Sequence, residues 1–144
     1  MQDKIDFLRR AKIDLKICKK TLDGWSDELE VEIAAYHLQQ SLEKTLKHQM
    51  TLMGLDYPRT HEIKRLFSQL EKAGHTPPEW IWENRQLLTD YAEKTRYGES
   101  LVATQRELET FITLLEQYML AIEQQGTEQD EQSSLKPRNL LKPE

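Results

Sequence analysis

A single cysteine, Cys18, leaves the chain without an internal disulfide, so its fold is held by other means and suits a reducing compartment. One cysteine also excludes a zinc site of the usual cysteine spacings. His61-Glu62 opens like the zinc-protease helix motif, but Arg65 stands where the second histidine must fall one turn later, so no metal site is expected. Glycine is scarce, with five in 144 residues and no glycine-rich run, which excludes both the phosphate loop and the dinucleotide fingerprint. No organic cofactor is expected either. No stretch approaches the roughly 18 consecutive apolar residues that a membrane span requires. The opening MQDKIDFLRRAKIDLK mixes charged and apolar residues and lacks the apolar core of a signal peptide. These absences predict a cytoplasmic protein with no membrane association.

What is present is charge and helical periodicity. Charged residues make up 31% of the chain and the mean hydropathy is -0.75, as expected where each helix of a slender bundle buries only one stripe. Pairing of two such bundles would bury more, which first suggests a dimer. Gly24, Gly54, Gly74, Gly98 and Gly126 each fall where a helical pattern stops, and the five prolines lie in the breaks or near the end. That punctuation predicts five helices. The first covers about 3–22, with Ile5, Leu8, Ala11, Leu15, Cys18 and Leu22 inward. The second covers about 27–53, capped by Ser26 or Asp27, with Leu38, Leu42 and Leu52 on its buried face. The third starts from a Thr60 cap. The fourth starts at Thr76-Pro77-Pro78-Glu79, read as a capping box with proline at the first position. The fifth covers about 100–125. Apolar spacing of three and four dominates, so the fold class is all-α, an up-and-down antiparallel helical bundle over residues 1–126. Residues 127–144 lack periodicity and are rich in Glu, Gln and Ser, and are read as a disordered polar tail.

Two polar stripes stand out. Residues 1–20 carry seven basic and three acidic side chains in a protein of formal net charge -5, with Arg9, Lys12, Lys16 and Lys19 on one face. On the second helix His37, Gln40, Lys44 and Lys47 line up in the same way, and Arg59, His61, Lys64 and Arg65 follow in the next break. Such donors suit phosphate groups of a nucleotide or an RNA backbone, and Tyr57 and Tyr97 at the breaks are placed to stack a base. Against this stands the plain alternative of solvated faces whose long stems cover apolar surface, with Glu43 and Lys47 as an i,i+4 pair. Cys18, on the apolar face, reads as a buried thiol.

The run Ala34-Ala35-Tyr36-His37-Leu38-Gln39-Gln40-Ser41-Leu42-Glu43-Lys44-Thr45-Leu46-Lys47 resembles the signature helix of HEPN domains. Tyr57-Pro58-Arg59-Thr60-His61-Glu62-Ile63 resembles that family's entry to its third helix, and Thr95-Arg96-Tyr97 its Arg-Tyr element before the last helix. The resemblance covers about residues 3–125. It implies a helical bundle that commonly forms a homodimer and often pairs with a small nucleotidyltransferase in toxin–antitoxin or defence modules. Many such proteins are metal-independent RNases whose arginine is followed after four to six residues by a histidine. No arginine here has a histidine at that spacing, so the general acid–base role lacks its usual carrier and no catalytic residue is assigned. The phosphate-binding part of the resemblance maps onto Gln40, Lys44, Lys47, His61, Arg96 and Tyr97, joined by Arg59 and Lys64 in the break. The expected protein is thus a non-catalytic, dimeric accessory or regulatory subunit that binds nucleotide or RNA phosphates. Two rival readings are an RNase in which His61 or His37 is supplied across a dimer, and a pure protein-interaction bundle.

Overall fold

The computed structural model describes the backbone over residues 5–97 and 103–141, and side chains over 5–94 and 103–125. Its helices are α1 (Phe7–Thr21), α2 (Glu28–Leu52), α3 (Ile63–Lys72), α4 (Glu79–Glu83), α5 (Arg85–Tyr97) and α6 (Gln105–Leu141). No strand occurs among the described residues. The all-α expectation holds, with six helices among the described residues where the glycine punctuation implied five.

Local chemistry explains most of the boundaries. Asp6 caps α1 by accepting from the Arg9 amide at 3.0 Å. Asp27 and Glu30 form a reciprocal capping box at the start of α2, with acids in its first turn where the helix dipole favours them. The hairpin turn between α1 and α2 uses Gly24 at φ 80°, a region that side chains with a Cβ rarely adopt. Gln105, the first residue of α6, clasps that turn: its amide nitrogen donates to the carbonyls of Leu22 and Gly24, and its oxygen accepts from the Ser26 amide. One side chain thus joins the last helix to the first turn.

Several boundaries differ from the sequence expectation. The expected fourth helix is two, because the Asn84 side chain donates to the Trp80 carbonyl at 2.7 Å and the chain turns there (φ -113°). Thr76 does not cap α4, whose first turn follows Pro78 without a side-chain cap. The N-cap of α3 is Glu62, not Thr60, although the Thr60 hydroxyl accepts from the Glu62 amide at 3.1 Å. Ser100, the expected start of the last helix, lies outside the described residues, and α6 begins at Gln105. Gly126 does not end α6: helical backbone continues to Leu141 and includes Pro137, which the sequence reading places beyond the helices. The disordered tail expected over 127–144 therefore falls on a stretch whose backbone is helical to Leu141, while its side chains and its last residues lie outside the described set.

α2 is the central helix. It packs against α1, α3, α5 and α6, and Leu38, Leu42, Leu46 and Met50 are almost completely buried against Ala11, Leu66, Tyr91 and Leu115. Leu52, expected inside, is 44% exposed at the end of α2, and Ile5, which precedes α1, is 46% exposed. Cys18 is fully buried as expected, and burial pushes its thiol up to about 12. None of the described helices is long and apolar enough to cross a membrane.

Candidate functional site

Because α2 is surrounded, most of its polar stripe faces protein rather than water. Gln39, Ser41, Glu43, Thr45, Lys47 and Gln49 are buried. Polar groups removed from water need partners: Thr45 donates to the Ser41 carbonyl one turn back, the Gln49 side-chain oxygen has none among the described residues, and the others find theirs in two networks on opposite flanks of the helix.

The first network joins α2 to α1. Asp14 is 8% exposed and accepts from the Lys44 ammonium at 2.5 Å and from His37 Nδ1 at 3.0 Å. One turn away, the Ser41 hydroxyl donates to the Ala11 carbonyl at 2.7 Å. An open groove of about 700 Å³ borders Asp14 and Lys44, with Arg9 and Arg10 along its rim.

The second network ties α2 to the segment entering α3. Glu43, 4% exposed, accepts from Lys47 at 3.0 Å, from His61 Nδ1 at 2.7 Å and from Gln39 at 3.4 Å. The Gln39 amide also donates to the His61 carbonyl at 3.2 Å, and Gln40 donates to the Gln39 oxygen at 2.7 Å. Tyr57 packs edge-on to Phe7 at 4.8 Å, with the Lys47 ammonium 5.8 Å from its ring centre. His37 and His61 each turn Nδ1 toward a carboxylate, so that nitrogen is the one that donates.

The structure therefore brings Gln40, Lys44, Lys47 and His61 together around α2, but each lysine is matched by a buried carboxylate. The uncompensated positive charge lies further out. Arg59, Lys64 and Arg65 are exposed around His61, whose side chain is 42% exposed. Arg96 and Tyr97 lie in the last turn of α5, and their side chains are outside the described residues. Among the described residues no group of three or more His, Cys, Asp or Glu side chains is placed to hold a metal ion.

Asp14 went unrecognised as a network residue in the sequence. One signal was available. Asp14 sits between Ala11, Leu15 and Cys18 on the face that helical periodicity assigns to the interior, so its carboxylate required a buried partner.

A bundle centred on one polar-lined helix, with paired His–carboxylate–Lys networks on its flanks, defines a class of helical domain. The HEPN domain family model matches residues 5–125, and the chain belongs to that family. No curated protein and no solved structure matches it.

Proposed function

We propose that this HEPN domain binds the phosphate groups of a nucleotide or RNA without cleaving them. In this reading it acts as a dimeric accessory or regulatory subunit of a nucleotidyltransferase-like partner, in a toxin–antitoxin or defence-type module. The observation that carries the proposal is the set of exposed cations Arg59, Lys64 and Arg65 around His61, which Glu43 holds in place from below. Three cations against two nearby exposed acids, Asp56 and Glu62, make a local positive excess on a protein of net charge -5. Arg96 and Tyr97 extend the proposed surface. Gln40 and Lys47 serve it indirectly, through the network that positions the segment from Tyr57 to His61, and Lys44 by tying α2 to Asp14 of α1. The test is titration of labelled single-stranded RNA in EDTA, followed by anisotropy and by a denaturing gel. Salt-sensitive binding of intact RNA is expected, and no binding of RNA or nucleotide would overturn the reading.

A second reading, a metal-independent RNase with a non-standard site, is favoured by one observation: Asp14 orients His37 beside Lys44, a constellation suited to proton transfer next to a phosphate. It predicts cleavage in EDTA that is lost on His37→Ala. Copurification with the product of a neighbouring nucleotidyltransferase gene tests the partner.

A further inference from the structure

α1 packs closely along α2 and only lightly against α6, and the gap between α1 and α6 is an open groove of about 560 Å³. Two salt bridges cross it, Lys12 to Glu123 and Lys19 to Glu116, each at 2.9 Å. They stand seven residues apart on both helices, about 10 Å along the axis, and fix an antiparallel register.

Residues at i, i+4 and i+7 share one face of a helix. On α1 that series is Lys12, Lys16 and Lys19; on α6 it is Glu116, Leu120 and Glu123. The outer positions pair as cation and carboxylate, and the middle ones do not. The register sets Lys16 level with Met119 and Leu120, where a third acid would complete the ladder. Leu120 is instead 57% exposed, and the buried Leu15 and Met119 form the floor beside it. Lys16 and Lys20 are exposed along the α1 wall, and neither ammonium has a carboxylate partner among the described residues.

An exposed leucine alone is ordinary. This one stands between two antiparallel helices, where a third helix packs in a bundle, and two uncompensated cations flank it. The chemistry of a fitting partner follows from these groups. An aliphatic side chain covers Leu120 and Met119, and carboxylates on the same side of the partner helix reach Lys16 and Lys20, which are themselves one turn apart. A phosphodiester chain fits less well, because the carboxylates of Glu116 and Glu123 line the same groove and repel it.

We propose that the α1–α6 groove docks an acidic amphipathic helix of another protein, with an aliphatic side chain over Leu120 and carboxylates on Lys16 and Lys20. The groove shares no lining residue with the exposed cations around His61, so the proposal stands apart from phosphate binding and either can fail alone.

The test uses the full chain and labelled, end-capped helical peptides with leucines on one face flanked by glutamates, followed by anisotropy. The glutamate peptide is expected to bind saturably, and the same peptide with alanines in place of its leucines at least tenfold more weakly. Leu120→Glu supplies the third acid within the chain, at an exposed position, and should weaken the glutamate peptide at least tenfold with helicity and urea midpoint retained. Lys16→Glu with Lys20→Glu should lose the glutamate peptide and bind a lysine-flanked version at least tenfold more tightly than wild type does. That exchange keeps the test decisive even if one variant folds poorly. Absence of saturable binding by wild type, indifference to Leu120→Glu, or a charge reversal that fails to exchange the preference would each overturn the proposal. So would loss of single-stranded RNA binding by Lys16→Glu with Lys20→Glu while the peptide still binds, since the groove would then be a nucleic-acid contact.

Discussion

The pairing of Glu43 with Lys47 gives the sharpest test of how α2 is held. The side chains are 5% and 11% exposed and meet at 3.0 Å, so neither ion keeps much of its hydration. Attraction inside a protein roughly offsets that desolvation, but removing one partner leaves a buried charge uncompensated, at about 3–5 kcal/mol. Glu43→Leu should sit in that range, because it strands Lys47 and also takes the acceptor from His61 and Gln39. Lys47→Met should cost less, about 2 kcal/mol, since His61 and Gln39 still donate to the carboxylate. The double variant Glu43→Leu with Lys47→Met removes both charges; His61 turns to solvent and Gln39 still reaches the His61 carbonyl. It should lie within about 1 kcal/mol of wild type, a coupling energy of at least about 4 kcal/mol. Urea unfolding followed by far-ultraviolet circular dichroism reads this directly. With a slope of about 2 kcal/mol/M, Glu43→Leu lowers the midpoint by about 1.5–2.5 M and the double variant restores most of it. Additive losses, or a Glu43→Leu cost below about 1 kcal/mol, would show that the pair is a solvated surface contact and refute the reasoning.

Three further predictions follow from groups elsewhere in the fold. Burial lowers the pKa of both His48 and His75 below the ordinary 6.5, and His75 Nε2 lies 2.9 Å from the Tyr118 hydroxyl. Below 6.5 the unfolded chain then binds more protons than the folded one, so their contribution is complete above that pH and declines as pH falls toward the lowered values. Stability measured by urea unfolding should drop between neutral pH and about pH 5, and His75→Gln should flatten that drop. Cys18, fully buried with its thiol raised to about 12, should resist a thiol reagent at mildly alkaline pH and react fully in urea; prompt reaction of the folded protein would contradict its burial. Asp27→Ala removes the oxygen that accepts from the Glu30 amide at 2.8 Å and should cost about 1 kcal/mol in the same urea assay.

The sequence carried the helices further than it carried the site. Apolar spacing identified the inward residues of α1 and α2, including Leu38, Leu42 and Cys18, because one-sided burial leaves a periodic record. The break between α4 and α5 left no such record, since it depends on one Asn84 side chain bonding back to Trp80. For the candidate site, the stripe Gln40, Lys44 and Lys47 was visible, but periodicity reads a polar stripe as a solvated face. That reading fails for a helix enclosed on most sides, where Gln39, Glu43 and Lys47 are interior. The partners that neutralise the stripe are distant in sequence: Asp14 lies 30 residues from Lys44, and His61 lies 18 from Glu43. Local pattern carries no information about contacts of that range. Only the i,i+4 pairing of Glu43 with Lys47 was local enough to be read from spacing.

The central claim is that α2 spends its own cations on internal carboxylates and leaves phosphate binding to the rim around His61. Comparing the salt dependence of RNA binding by wild type, by Arg59→Ala with Lys64→Ala, and by a control with the exposed Lys16 and Lys20 replaced by Ala tests this most directly. The account predicts that the rim variant loses about 1.4 from the slope of log affinity against log salt, two phosphate contacts at about 0.7 each on a single strand, while the control keeps the wild-type slope. Equal slopes in all three proteins, or the larger loss in the control, would place the phosphate contacts elsewhere and contradict it.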